Sequence, residues 1–408
     1  MMKPRVFVIG AGAAGFFAAI SAAETFPDAA VIILERTDKV LAKVRISGGG
    51  RCNVTHACFE PHQLVKFYPR GNRWLKKPFK AFDAKDTVNW FTNRGVSLKI
   101  EDDGRMFPVS DSSETIIDCL LYQAKKFNVQ LKLKYGIDRI LPQEDGTFLL
   151  LGKHDEVVEA DKVIIASGGF PKRTGYDWLR ERNIEVVDPV PSLFTFNIPA
   201  FDLVPLSGIS LPDVKIRIVG TKLETTGPLL ITHWGFSGPA VLKLSAWGAR
   251  ALNQMDYRFK IHISWVATHT EDSLRALFEE QKVQHPKRGI SGNQLFFIPQ
   301  RLWKKLVANA GIGEDTRWID ASKKDLNKLI ENLFRAEYQV HGKTTFKEEF
   351  VTCGGVELAD VNAETMESKK HPGLFFAGEI MDVDGVTGGF NFQNAWTTGY
   401  IAGKNVLK

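Results

Sequence analysis

The sequence predicts an α/β protein in which one parallel-sheet domain is split in two by an inserted β-rich plus helical domain. Three observations carry this. A strand, glycine loop, helix and strand follow one another at the start of the chain. A strand, acid, glycine loop and helix recur at its end. Between them, from Pro189 to about Lys343, the character changes to short strands broken by prolines and then to amphipathic helices. At 408 residues the chain exceeds one simple core. With 44% apolar and 25% charged residues it belongs to the ordinary globular class, not the disordered one. The net charge of +6, from 53 basic and 47 acidic residues, suits an anionic ligand but is too mild to announce a nucleic-acid binder. Cys52, Cys58, Cys119 and Cys353 form no CxxC pair and no zinc spacing, so a reduced, cytoplasmic protein without a metal is expected.

The first element is the strand RVFVI. The loop GAGAAG follows, and then a helix opening at Ala13 and Ala14 and a second strand, AVIILE, ending at Glu35. G-x-G-x-x-G at Gly10, Gly12 and Gly15 therefore lies between strand and helix. Gly10 allows the tight turn, Gly12 admits a pyrophosphate to the backbone, and Gly15 lets helix and strand pack closely. The helix start offers N–H groups and partial positive charge to phosphate. Glu35, 20 residues after Gly15, suits both ribose hydroxyls and repels a 2′-phosphate, and Arg36 follows it. This is a Rossmann-type dinucleotide site, and the motif alone does not choose between FAD and NAD. The uncharged run Val6–Ala23 behind Lys3 and Arg5 mimics a signal peptide or membrane span, but its glycines are better explained by the motif, and no membrane association is expected.

The stretch VRISGGGRCNVTH comes next, where a dinucleotide passes from adenosine toward its reactive end. Three consecutive glycines cost backbone entropy, so the segment needs unusual dihedrals or close approach. Ser47, Gly48, Gly49, Gly50, Cys52 and Asn53 are expected to line the cofactor, with Lys43, Arg45 or Arg51 balancing its charge. The competing reading is a flexible loop with solvated cations. Further on, NVQLKLKYGIDRILPQ reads as an alternating strand with GTFLLLGK as its partner, and KVIIASGG as a buried strand ending in Ser167, Gly168 and Gly169.

At the C-terminus, GLFFAGEI runs as a strand into Gly378 and Glu379, and FQNAWTTGYIAGKNVL reads as a helix. Its start, around Gly389, Phe390, Asn391 and Phe392, would aim N–H groups at an electron-accepting ring edge. Glu379 or Asp384 would meet ribityl hydroxyls. This second unit favours FAD over a bound nicotinamide. AGIGED (310–315) follows a helical run and lacks a third glycine, so NAD(P)H is expected only as a transiently docked donor.

GAGAAG with ISGGGRCN, DDGRMFPVSDSSETI, IIASGG, LLITHWGFSGPAVLKLS, TCGGVEL and TMESKKHPGLFFAGEIMDVDGVTGGFNFQNAWTTGYIAG together resemble the HI0933-like (YhiN-type) flavoproteins, a branch of the two-dinucleotide-binding-domain flavoproteins. The resemblance spans nearly the whole chain. It implies an FAD-binding domain interrupted by an insert, one FAD per subunit, oxidoreductase activity, and Ile137 as the residue that holds adenine through its backbone. GGFPKRTGYDWL departs from the longer Gly/Ser/Thr-rich run such proteins carry there. The expected domains are 1–190 with 345–408 for FAD, and 191–344 for the insert, β-barrel-like over about 191–268 and helical over about 270–344.

The redox chemistry would belong to the flavin. His233, Cys353 and Arg105 are the candidate catalytic or substrate-binding side chains, each with a plain structural alternative. Cys52 beside Arg51 could also carry a lowered pKa. KFYPRGNRWLKKPFKAF (66–82) interleaves cations and aromatics as single-strand nucleic-acid surfaces do, but a solvated flap over packed aromatics is the favoured reading, so nucleic acid is not an expected partner. The function expected is FAD-dependent hydride transfer to or from a small organic substrate. An O₂-using amine oxidase and an FAD-stabilised RNA- or partner-binding protein are the alternatives.

Overall fold

The computed structural model describes residues 3–152, 156–344 and 351–408. They divide into two compact units, one holding the described residues up to Ser192 and from 351 onward, the other 193–344. The limit expected at residue 345 lies outside the described residues.

The first unit is built on a five-stranded parallel sheet. Its order is Leu374–Phe376, Lys162–Ile165, Arg5–Ile9 (β1), Ala30–Leu34 (β2) and Gln130–Lys132. After their first residues the inner strands are apolar runs with almost no exposure, as befits a parallel sheet covered on both faces. Helix α1 (Ala13–Thr25) is buried continuously from Ala14 to Ala23 because the C-terminal helix Phe390–Asn405 lies directly on it. Gly399 and Gly403 make that approach possible: a Cβ there would lie 2.6 Å from the Ala14 carbonyl oxygen and 2.3 Å from that of Ala18. The uncharged N-terminal run is thus a strand and a core helix. Among the described residues no helix is long and apolar enough to cross a membrane.

Two elements differ from expectation. The alternating stretch after Val129 is two strands: Gln130–Lys132 closes the parallel sheet, and Ile137–Pro142 pairs antiparallel with Phe148–Gly152. Lys134 at φ 56° turns the chain between them. The glycine-rich segment begins as a helical turn at Ala42, not as a loop, and breaks at Ser47.

In the second unit a seven-stranded antiparallel sheet runs Ala336–His341, Arg258–Ser264, Ser210–Ile218, Glu224–Ile231, Gly235–Ser237, Thr195–Asn197 and Lys343–Thr344. Its apolar face joins the helices Pro239–Gln254, Glu271–Gln284, Gln300–Asn309 and Lys323–Phe334 in one core. Thr270 caps the second helix in a capping box with Ser273, and Ser322 caps the fourth. The division into a β part and a helical part is corrected here: AEYQVH, beyond the last helix, alternates buried and exposed residues and returns to the sheet.

Candidate cofactor site

The site is assembled at the C-terminal ends of the parallel strands, where open α/β sheets bind ligands. The three motif glycines do different work. A Cβ at Gly10 would lie 2.5 Å from the Ala166 carbonyl oxygen, and one at Gly15 only 1.9 Å from that of Gly10. Both are required by the protein's own packing. Gly12 is not: its φ of −89° suits any residue, and a Cβ there would meet nothing within 4 Å. It caps α1 without a side-chain cap, so the first N–H groups of the helix, at Ala13 and Ala14, have neither an intrahelical partner nor a side-chain cap. Glu35, just past β2, is fixed by the Ala11 N–H at 2.9 Å and the Thr37 N–H at 2.8 Å. Arg36 donates to the Ile137 carbonyl and to Asp138, joining the acid's neighbour to the strand expected beside adenine.

Gly48, Gly49 and Gly50 all take left-handed dihedrals (φ 60°, 71° and 85°), which explains three glycines in succession. A Cβ on Gly48 would strike the Phe107 ring at 2.7 Å, whereas Gly49 and Gly50 face open space. The Ser47 hydroxyl turns back to the Val44 carbonyl at 3.0 Å. With its amide oriented to suit its neighbours, Asn53 donates to the Thr55 carbonyl and accepts from the Gly389 N–H, both at 3.0 Å. It thereby ties this segment to the start of the C-terminal helix.

On the far side of the sheet, a Cβ at Gly169 would lie 2.3 Å from Thr352 Oγ1 and 3.0 Å from Glu379 Oε1. Glu379 accepts from the Thr352 N–H at 2.9 Å and pairs with Lys43 at 2.5 Å. Gly378 beside it is held by Thr398, 2.8 Å from its N–H. Two buried hydroxyls here, Ser167 Oγ and Thr352 Oγ1, have no hydrogen-bond partner among the described residues. Orphaned buried hydroxyls are costly unless a ligand completes them. Gly389 starts the C-terminal helix, again without a side-chain cap, and Asn391 clamps both backbone polar groups of Gly385 (2.8 and 2.9 Å). Phe390 stacks on both His56 and Phe67, which also touch each other, and Phe392 stacks on Trp396.

Several expected site residues have partners within the protein, and two expectations, for Asp384 and Cys52, are corrected. Arg51 lies over the Phe107 ring at 4.0 Å and pairs with Glu101 at 2.5 Å, so its charge is balanced by protein. Arg105 joins the same cluster through Glu101 and Asp103. Asp384 is fully buried and is held by Arg70 and by the Ser192 hydroxyl, so it braces the loop where a ribityl contact was expected. Burial pushes its pKa up to about 6 against the pull of Arg70. Cys52 carries no lowered pKa: complete burial pushes its thiol up to about 12. Cys353 is buried in a strand paired with Val190. His233 belongs to the other unit, exposed in the turn after Glu224–Ile231, its ring edge-on to Trp234. Sequence reasoning gave no role to Thr352, Thr398, Arg70 or Ser192, although the first three stand inside stretches it singled out, because their partners lie far away in sequence.

Uncapped helix starts at both ends of the groove, open space at Gly12 and Gly49, a fixed acid after β2 and two unsatisfied hydroxyls fit a dinucleotide flavin. Gly12, Ala13, Ala14 and Glu35 would hold its ADP half, and Gly49, Gly50, Ser167, Thr352 and the Gly389–Phe392 turn its riboflavin half. Fold and site define a Rossmann-type flavoprotein.

The chain belongs to the HI0933-like family, whose Rossmann-domain description matches residues 4–405, and it is a FAD-dependent oxidoreductase. It is 30% identical over 416 residues to the ribosomal RNA dihydrouridine synthase of Escherichia coli (strain K12), covering 100% of this chain and 99% of that one. It is 25% identical over 408 residues to the 3-dehydro-bile acid Δ(4,6)-reductase of Clostridium scindens, covering 98% of each. Among solved structures, 3-ketosteroid-Δ4-(5α)-dehydrogenase from Rhodococcus jostii RHA1 shares the fold at a TM-score of 0.52 and 13% identity, over 100% of this chain and 98% of that one.

Proposed function

We propose that this protein reduces a carbon–carbon double bond conjugated to a carbonyl, and that the substrate is a uridine of ribosomal RNA. The observation that carries the reading is the 30% identity to a ribosomal RNA dihydrouridine synthase along the full length of both chains. The chemistry of a second relative supports the reaction class. Dihydrouridine is uridine saturated at C5=C6, beside the C4 carbonyl, and a 3-dehydro-Δ(4,6) substrate also presents double bonds in line with a ketone. An RNA base replaces the small organic molecule expected from motifs alone, and the excess of 53 basic over 47 acidic residues is compatible with it.

When bound, FAD supplies the hydride, and a proton completes the addition across C5=C6. The chain's residues hold and orient: Glu35 the ribose, the α1 start the diphosphate, Ser167 and Thr352 the polar atoms between it and the ring. Electrons come from NAD(P)H docking transiently. The AGIGED sequence supports this, since it closes the helix Gln300–Asn309 and follows no strand.

The test is expression in an E. coli strain lacking its own relative, followed by mass spectrometry of its ribosomal RNA nucleosides. Dihydrouridine should return. Ribosomal RNA that keeps uridine while the protein is present and loaded with flavin overturns the RNA substrate, and turnover of a dienone steroid in that case would assign the same chemistry to a small molecule.

A further inference from the structure

We infer that Arg73, Lys76 and Lys80 form a phosphate-binding rail for the RNA strand that carries the substrate base, an inference that rests on the proposed RNA substrate. The chain from Arg73 through the turns Trp74–Lys76 and Pro78–Ala81 is continuously helical, with Arg73 and Lys77 both in right-handed helical dihedrals. Positions 73, 76, 77 and 80 therefore fall on one side, spaced i, i+3, i+4, i+7. All four are exposed, while Leu75, Pro78 and Phe79 on the other side are buried.

Lys77 is neutralised by Glu364 at 3.0 Å. Arg73, Lys76 and Lys80 make no ion pair or side-chain hydrogen bond among the described residues. The neighbouring Arg70, by contrast, is committed to the Asp384 carboxylate. Three uncompensated cations in a row extend over about 10–14 Å of helical rise, enough to follow a strand rather than hold one phosphate.

The rail is anchored beside the cofactor site. Arg70 bridges Asp384, Trp74 donates to the Val361 carbonyl, and the Val386 N–H donates to the Phe67 carbonyl, so the segment is tied to the loop leading into the C-terminal helix. Three of the five aromatics of the same stretch offer no stacking face: Tyr68 is 0%, Phe79 1% and Phe82 4% exposed, while Phe67 and Trp74 are half-buried and engaged by Phe390 and the Val361 carbonyl. The rail consequently reads charge and not base identity, and its binding should be strongly salt-dependent and indifferent to sequence.

The test uses the holoprotein and an unmodified ribosomal RNA transcript, comparing R73Q/K76Q/K80Q with a control of equal charge change, K3Q/K125Q/K126Q. The control residues are exposed and precede strands of the parallel sheet, at the end opposite the cofactor. Three phosphate contacts at a slope of about 0.7 each predict about 100-fold weaker binding at about 0.1 M salt and a log–log salt slope smaller by about 2. The control should bind like the parent, and flavin absorbance should be unchanged in both. Equal loss in rail and control variants, no loss in the rail variant, or no RNA binding by the parent overturns the rail. Parent protein that binds RNA through the rail but forms no dihydrouridine under reducing conditions leaves the rail standing and removes the proposed reaction.

Discussion

Replacing Gly12 with valine separates cofactor binding from folding. In the protein itself Gly12 is under no constraint, since its backbone is extended and a Cβ meets nothing within 4 Å. The substitution should cost the apoprotein about 1 kcal/mol, the price of a poor N-cap residue. It places three carbons where a diphosphate must approach the start of α1. Losing two charge-assisted N–H bonds, at about 1.5–3 kcal/mol each, predicts a loss of about 3–6 kcal/mol, or roughly 10²- to 10⁴-fold in FAD affinity. Gly15→Ala is the contrasting variant. Its single methyl would sit 1.9 Å from the Gly10 carbonyl oxygen, backbone against backbone, and the fold itself should fail. Urea denaturation of apoprotein and fluorescence titration with FAD read the two effects separately. FAD binding by Gly12→Val within threefold of the parent, or loss of its fold alongside Gly15→Ala, refutes the reasoning.

Arg70→Met should destabilise the first unit by about 3–5 kcal/mol near neutral pH in urea denaturation, because it takes the cation away from the fully buried Asp384 carboxylate. Restored stability in R70M/D384L would confirm that the cost is the unpaired charge. The same aspartate sets a pH dependence. Burial raises its folded pKa to about 6, above an unfolded value of about 3.9. The native state then binds the extra proton between these limits, so this group makes stability fall as pH rises from about 4 to about 6 and adds no slope above. The difference between parent and Asp384→Asn should show that fall, and a difference that rises over the same window would contradict it. Native protein treated with iodoacetamide near pH 8 should gain one slow adduct, at half-buried Cys58, since Cys52, Cys119 and Cys353 are buried and burial pushes the thiols of Cys52 and Cys119 up to about 12 and about 11. Prompt labelling of Cys52 in a peptide map would show that the segment opens.

The dinucleotide unit was legible because its constraints are local. Gly10, Gly12, Gly15 and Glu35 serve one turn and one strand end, and period and spacing display them directly. The three glycines at 48–50 were legible as a backbone requirement, and their left-handed dihedrals supply the reason. What they neighbour was not. Arg51 stands in sequence like a phosphate ligand, yet Glu101 and Phe107, some 50 residues away, claim it. Asp384 looked like a ligand for the same reason, and Arg70 claims it from more than 300 residues away. Cys52 looked activated by its neighbour in sequence, but the packing around it, invisible in a one-dimensional pattern, decides the opposite. Thr352 gave no signal of its own, because a hydroxyl becomes notable only once folding buries it beside Gly169 and Glu379 with no partner among the described residues. Local geometry is written in spacing, whereas charge compensation across the fold is not.

The most direct test of the central claim is an anaerobic single turnover in a cuvette. Protein loaded with FAD and reduced stoichiometrically is mixed with unmodified ribosomal RNA transcript while absorbance near about 450 nm is followed, and the RNA is then digested for mass spectrometry. The account predicts return of the oxidised flavin band together with one uridine gaining two hydrogens per flavin oxidised. A flavin that stays reduced in the presence of RNA, with every uridine unchanged, would contradict it.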